Sequence, residues 1–529
     1  MNRLILLLAL IPTVTLYWQN RDIPQFGWIQ DDALYVDTGK AIATGQGYRL
    51  TFLPGAPYMN KYPPVYPMVI AALWKVNPNF PGNLGLIVAW NLLPLIVMLM
   101  GLWRLYLSFG FPSNGAALLT FAVACLPIYI YLATSAMTEC TFFAMFIWTF
   151  VLLEKQTVGY AIAAGVLAGL CYLTRTAALP LFLTVPLCFA MRRKFKPAAA
   201  YLAAALPLPI AWQLWVMGHK AAVATDWVTR FYADYASMER LTVGFDNLPI
   251  VVWENVDSIL TGVGELFIFN LGHDSFLGHH LARLITVVAI AGIIRLVRRS
   301  GRWQYGSFAL VFTLLLCFWH CPPDQRLFAP LAPLFMAGLW TELYNLWSMA
   351  QQTYRRGKSG DRPIAVAFCI VMAAFGVYFI YSTAEARLVQ LPMIMVLHRH
   401  DTTRIRTTFA RVTESTPPDA IIQSDEDVMV HLFTGRHGYR TIVPPRLFYP
   451  PQMELVRNTF ASLPEAASGA WTHTLVSDNA WKHTLSGDDL EFARKSVAGR
   501  ADLSQVWNNS GDVLYERKPR EVSAGGVAP

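Results

Sequence analysis

The stretch that decides the fold is LGLIVAWNLLPLIVMLMGLWRLYL, Leu84–Leu107, which carries a single charged residue, Arg104, close to its end. About 20 apolar residues in a helix cross the hydrocarbon core of a bilayer. The run therefore predicts a transmembrane helix. Pro94 inside it is no objection, because neighbouring helices can satisfy the carbonyl that a proline frees.

Ten further apolar runs flank it. They are Leu4–Trp18, Gly115–Ala133, Thr141–Leu153, Val158–Leu173, Ala177–Ala190, Pro197–Met217, Leu281–Val297, Tyr305–His320, Leu327–Trp347 and Ile364–Tyr381. The expected architecture is a polytopic α-helical membrane protein of about eleven transmembrane helices. Composition agrees: of 529 residues 55% are hydrophobic and only 14% charged, against about 25% charged in a soluble domain. These values exclude a disordered chain, which needs high charge and low hydrophobicity. The net charge is +8, but Lys and Arg cluster in short stretches between apolar runs. That pattern points to membrane topology, not to nucleic-acid binding. The seven cysteines lie in or beside apolar runs without metal-type spacing and read as buried thiols, not a disulfide framework.

Charge also orients the chain. With the N-terminus in the cytoplasm, the inner segments and helix ends hold fifteen basic residues, among them Arg192, Arg193, Lys194, Arg298 and Arg299. The short outer turns hold only Arg175 and Arg326. This is a strong positive-inside signal. Met1–Arg3 and the run behind it read as a first membrane helix, because no small-residue cleavage site follows. Eleven crossings put the C-terminus outside. Residues 1–381 form the expected membrane domain, with outer loops 19–83 and 218–280. Residues 382–529 form a small extracytoplasmic α/β domain. Its expected strands are Ala420–Gln423, Thr474–Ser477 and Val513–Glu516. Its expected helices are Arg404–Glu414, Asp425–Phe433 and Asp488–Lys495, and the tail after Lys518 is expected to be disordered.

Candidate chemistry collects on the outer side. Asp31-Asp32 opens a segment, Asp31–Ala43, that reads as an amphipathic helix at the interface. Two adjacent carboxylates there either cap the helix or serve in a reaction. Lys61 precedes Pro63-Pro64, and its ammonium either snorkels or binds a lipid phosphate. Glu139 follows Thr138 at the start of an apolar run, where it caps a helix or lines a cavity. Arg175 and Arg326 suit phosphate recognition, or anchor at the interface and pair with Glu139 or Asp324. His273-Asp274 and His279-His280 lack fixed ligand spacing, so no metal or other cofactor is expected and His273 is kept as a site-lining residue.

Several motifs in this order resemble the GT-C glycosyltransferases that use polyprenyl-phosphate sugars. The branch is that of protein O-mannosyltransferases, lipid A aminoarabinose transferases and Rgt-like transferases. The motifs are Asp31-Asp32 with Tyr35 and Gly45-Gln46-Gly47-Tyr48; Lys61-Tyr62-Pro63-Pro64-Val65-Tyr66-Pro67; Ser135-Ala136-Met137-Thr138-Glu139; Gly165…Gly169 with Leu173-Thr174-Arg175; and Arg326-Leu327-Phe328-Ala329-Pro330-Leu331-Ala332-Pro333. Leu432-Phe433-Thr434-Gly435-Arg436 looks like a short feature of the same family. The resemblance covers roughly residues 1–350.

It implies a membrane enzyme that moves a monosaccharide from a polyprenyl-phosphate donor to a lipid, glycan or protein acceptor outside the cytoplasm, with inversion. Asp31 takes the position of the catalytic carboxylate, with Asp32 beside it where many members have Glu. Lys61 takes the position of the residue that holds the donor phosphate, and Arg175 and Arg326 are expected to assist it. Tyr35, Tyr62, Glu139 and His273 are expected to line the site. The rival readings are a transporter or flippase for a lipid-linked sugar, or an inactive lipid-binding homologue. A transporter should show internal repeats and charges near the bilayer midplane, and neither is found.

Overall fold

The structure is a computed structural model and describes residues 2–22, 24–220, 227–233, 246–268, 276–356, 362–441, 453–463, 471–482, 484–509 and 511–518. The expected tail after Lys518 lies outside the described residues. The chain forms two compact units. One comprises Met1–Trp28, Tyr62–Gly218 and Val243–Asp401; the other comprises Ile29–Lys61, His219–Thr242 and Thr402–Pro529.

The first unit is helical. Among the described residues five helical stretches are long and apolar enough to cross a membrane: Leu84–Ser108, Phe195–His219, Phe276–Ser300, Gln325–Arg355 and Ala365–Ser415. A sixth is a broken pair, Ser113–Ala124 and Pro127–Ala133, bent by 64°. Pro127 explains the bend, since its ring clashes with the carbonyl four residues back and offers no N–H. The other apolar runs fall on shorter helices, namely Leu4–Gln19, Glu139–Leu153, Val158–Thr174, Thr176–Met191 and Trp303–Leu316. One further short apolar helix, Val65–Val76, follows Pro63-Pro64 and was not among the expected runs. Large apolar side chains such as Leu93, Met100, Leu187, Leu310 and Leu314 point outward and are exposed. In water such a surface would be a liability, whereas lipid is as apolar as leucine. The chain is an integral membrane protein.

Close helix packing explains one motif. A Cβ on Gly165 would stand 2.5 Å from the Tyr201 carbonyl oxygen, and one on Gly169 would stand 3.0 Å from that of Ala205. The Gly-xxx-Gly spacing thus lets the Val158–Thr174 helix lie against Phe195–Ala205, the usual device of membrane helices.

A second motif is explained by hydrogen bonding. Pro333 cannot donate to the Ala329 carbonyl as a helical residue would. The buried Tyr129 hydroxyl donates to that carbonyl at 2.7 Å, beside the Ala332 N–H. Tyr305 donates to Pro330 O at 2.5 Å and Tyr106 to Pro333 O at 2.8 Å. Three tyrosines thus satisfy the backbone of Ala329–Pro333, immediately after the turn that bears Arg326.

The second unit contains a five-stranded sheet in the order β2-β1-β3-β5-β4. The strands are β1 Ile421–Gln423, β2 His437–Tyr439, β3 His473–Ser477, β4 Leu503–Asn509 and β5 Asp512–Arg517. The first three pair in parallel; β5 runs antiparallel to both β3 and β4. Helices Asp427–Thr434, Met453–Ser462 and Gly487–Ala498 connect them. Val456, Phe460, Trp471, Val476, Trp481 and Val497 form the core. The three expected strands and the helices near 425 and 488 are present. Strand β2 was missed because three residues carry no alternation, and β4 because it is an edge strand with a mixed, largely polar face. The expected helix Arg404–Glu414 is the end of a longer one. Helix Arg362–Glu385 runs through a π turn, Ala386–Gln390, into Leu391–Ser415. Pro392 follows closely on the π turn, a local irregularity of the kind by which a continuous helix accommodates a proline.

Candidate functional site

The Asp31–Ala43 helix has the bounds expected for it. Gln30 is its N-cap and makes no side-chain cap bond. The two carboxylates differ in setting. Asp32 is buried, and its Oδ1 accepts the Ala33 N–H at 2.6 Å. Asp31 is half-buried. The helix-start role therefore falls on Asp32, and Asp31 is the more accessible of the pair. Tyr35, one turn on, is buried.

Lys61 closes the same segment. Its Nζ lies 4.5 Å from the centre of the Phe231 ring, and the Arg440 guanidinium stands 5.3 Å from that ring. A cation over an aromatic face is favourable, so Phe231 draws both cations towards it. Tyr62, the next residue, is half-buried. Pro63 and Pro64 then lead into the Val65–Val76 helix.

In the membrane unit the structure brings three expected residues together. Glu139 is the first residue of the Glu139–Leu153 helix. Its carboxylate takes the Arg175 Nη1–H and, at 2.5 Å, the Arg326 Nε–H. Arg175 also donates to Thr138 Oγ1 at 3.1 Å. Arg175 sits where the Val158–Thr174 helix ends and the chain becomes extended. Arg326 lies in a single turn whose start is capped by Asp324, which accepts the Leu327 N–H at 3.1 Å. Glu139 is 1% exposed, against 16% and 18% for the two arginine side chains. The pairing with Glu139 foreseen as one reading is present. One carboxylate between two guanidiniums leaves a net positive charge, which suits an anion.

His273 and Asp274 lie outside the described residues. His279 faces Asp257 at 4.0 Å, and Arg283 pairs with the same carboxylate at 2.5 Å. Among the described residues no three His, Cys, Asp or Glu side chains converge as metal ligands would.

Other buried polar residues gather in the second unit and were not foreseen. Asp37 is fully buried in the Asp31–Ala43 helix. Tyr232 donates to Asp427 Oδ2 at 2.8 Å and receives the Gln30 Nε2–H at 2.7 Å. Burial pushes the Asp427 carboxyl up to about 7 against the pull of Arg440 and the Tyr232 hydrogen bond. Burial likewise pushes Asp425 up to about 6, opposed by Arg440. The only sequence signal was the acidic run Asp425-Glu426-Asp427, which reads as an ordinary first helical turn.

Asp425 gives a pH prediction. Its buried oxygens accept no hydrogen bond among the described residues, and its folded pKa lies above the ordinary 3.8. The folded state therefore holds this proton more tightly than the unfolded one. The resulting stability is present below pH 4 and is lost as pH rises through about 6. Asp425→Asn is spared that loss. Its thermal stability relative to wild type is expected to grow between pH 4.5 and 8 by roughly 1–3 kcal/mol. Parallel pH profiles would show that the carboxyl is solvated.

The chain matches two crystal structures of ArnT from Cupriavidus metallidurans along nearly its whole length. For the one bound to undecaprenyl phosphate the TM-score is 0.52 at 13% identity, covering 96% of this chain and 97% of that one. For the apo state the TM-score is 0.52 at 12% identity, with the same coverage. No protein-family model and no curated protein sequence matches the chain. The chain thus shares the fold of these ArnT structures.

Proposed function

We propose that this chain is a membrane glycosyltransferase that moves a monosaccharide from a polyprenyl-phosphate carrier to a nucleophile on a lipid, glycan or protein outside the cytoplasm. The observation that carries the reading is the whole-length likeness in fold to a protein crystallised with undecaprenyl phosphate. In this reading the chain crosses the membrane eleven times, with the N-terminus inside and the C-terminal domain outside.

The chemistry is an inverting displacement. Asp31 accepts the proton of the acceptor nucleophile as the nucleophile attacks the anomeric carbon. The bond from that carbon to the phosphate oxygen breaks, and its electron pair leaves with the polyprenyl phosphate. Lys61 stabilises the charge growing on the phosphate, the kind of interaction that contributes most when the donor is held in place beforehand. Arg175 and Arg326, with net positive charge after Glu139 is counted, are proposed to bind an anionic group of the substrate. Tyr35, Tyr62 and His273 are proposed to line the site.

The test is turnover of a panel of radiolabelled polyprenyl-phosphate monosaccharides in membranes holding wild type or Lys61→Ala. One donor should be consumed by wild type, with KM raised roughly tenfold or more by the substitution, as expected when a charge-assisted contact to phosphate is lost. Transport of an intact lipid-linked sugar without cleavage would replace the transferase reading with a flippase.

A further inference from the structure

The helix that bears Asp31 and Asp32 is held by the C-terminal sequence through two separate polar contacts. Asp427 and His431 stand four residues apart on the Asp427–Thr434 helix, hence on one face. His431 Nε2 lies 3.7 Å from Asp37 Oδ1 and 3.4 Å from Thr51 Oγ1. Thr51 binds Asp37 twice, its hydroxyl donating to Oδ1 at 2.6 Å and its N–H to Oδ2 at 3.0 Å. The other ring nitrogen, Nδ1, lies 3.0 Å from the Arg436 carbonyl oxygen, which fixes the ring. One turn earlier, Asp427 receives the Tyr232 hydroxyl, and Tyr232 receives the side chain of Gln30, the residue immediately before Asp31.

The supporting helix is itself tied down. It ends in left-handed Gly435, a conformation that suits glycine. Arg436 then donates to the carbonyls of Thr413, Thr416 and Thr434 at 2.7–2.8 Å. The Phe52 carbonyl, next to Thr51, accepts the Gly438 N–H of β2 at 2.9 Å.

We infer that Asp427 and His431 are positioning residues: they set the rotation and height of the Asp31–Ala43 helix, and so the aim of Asp31. The inference rests on the transferase reading for what the aim accomplishes, but the clamp itself does not. Apolar residues of the same volume would hold two helices together at least as well as a buried charged network. The His431–Thr51 and Tyr232–Gln30 hydrogen bonds add direction, since they tolerate only a narrow range of angle. A misplacement of about 1 Å at a reacting group can cost on the order of 100-fold in rate. The motif Leu432-Phe433-Thr434-Gly435-Arg436 is then the stop that locks the supporting helix.

The test uses the full-length protein in nanodiscs with His431→Ala, His431→Gln, Asp427→Ala and Thr51→Val. Hydrogen exchange is read over 31–43, with β3 and β5 as internal controls. His431→Ala and Asp427→Ala should raise exchange over 31–43 by about tenfold, with the sheet unchanged. They should lower kcat on the order of 10- to 100-fold with donor KM held. His431→Gln, which keeps a polar group towards Thr51, should restore most of both. Should His431→Ala also expose the sheet, Thr51→Val and Asp427→Ala decide in its place. Unchanged protection over 31–43 in those two variants overturns the clamp, as does a rise in KM with kcat intact. Absence of turnover in wild type would count against the transferase reading alone, because the exchange data decide the clamp without it.

Discussion

Removing the Glu139 carboxylate is expected to destabilise the membrane unit more than any other single substitution in the candidate site. Glu139→Ala would leave the Arg175 and Arg326 guanidiniums close together, mostly buried and without the anion they share. Breaking a buried ion pair by deleting one partner costs about 3–5 kcal/mol, because the remaining charge stays desolvated. Here two like charges remain. Thr138 Oγ1 is a neutral acceptor for Arg175 and compensates little. The double variant Glu139→Ala/Arg326→Met should recover more than half of the loss, since only one cation is then left. Thermal unfolding in detergent, run as a double-mutant cycle, measures both values. If Glu139→Ala unfolds within about 0.5 kcal/mol of wild type, as an ordinary surface change does, the two arginines are solvated and the net-charge argument fails with them.

The second large effect is on rate, not stability. Asp31→Asn should lower turnover of the donor by roughly 10²–10⁴-fold, the usual contribution of a general base, with an unfolding temperature close to wild type. Asp32→Asn should do the reverse. Asp32 is buried against its own helix start and accepts the Ala33 N–H, so its loss should be felt first in folding. Turnover and thermal unfolding measured side by side separate the two carboxylates. A silent Asp31→Asn with an inactive, well-folded Asp32→Asn would exchange their roles.

Those two adjacent residues mark how far local sequence carried. That a helix begins at Asp31 was legible, because acidic residues favour a first turn and apolar spacing follows. That Asp32 turns inward while Asp31 stays accessible was not, because burial depends on which elements lie alongside. Asp37 is the sharper case. In the sequence it is one polar residue in a helix; in the structure it is fully buried and faces His431. A contact across 394 positions leaves no period or spacing behind. Arg175 and Arg326 were legible as candidates because two basic residues on a side nearly free of them stand out. Which of their alternative partners they would take was not.

By itself the sequence determined the class of the protein: helical, membrane-embedded, with a small α/β sheet towards its C-terminus. The physical reason is that transfer of apolar side chains out of water acts residue by residue along a run, so its pattern is written locally. Only the tertiary structure decided which polar groups meet: Glu139 between two arginines, three tyrosines on the Ala329–Pro333 carbonyls, and Asp37 and Gln30 against the Asp427–Thr434 helix. Such contacts are short-ranged and directional. They exist only after folding has brought together residues that the chain keeps far apart.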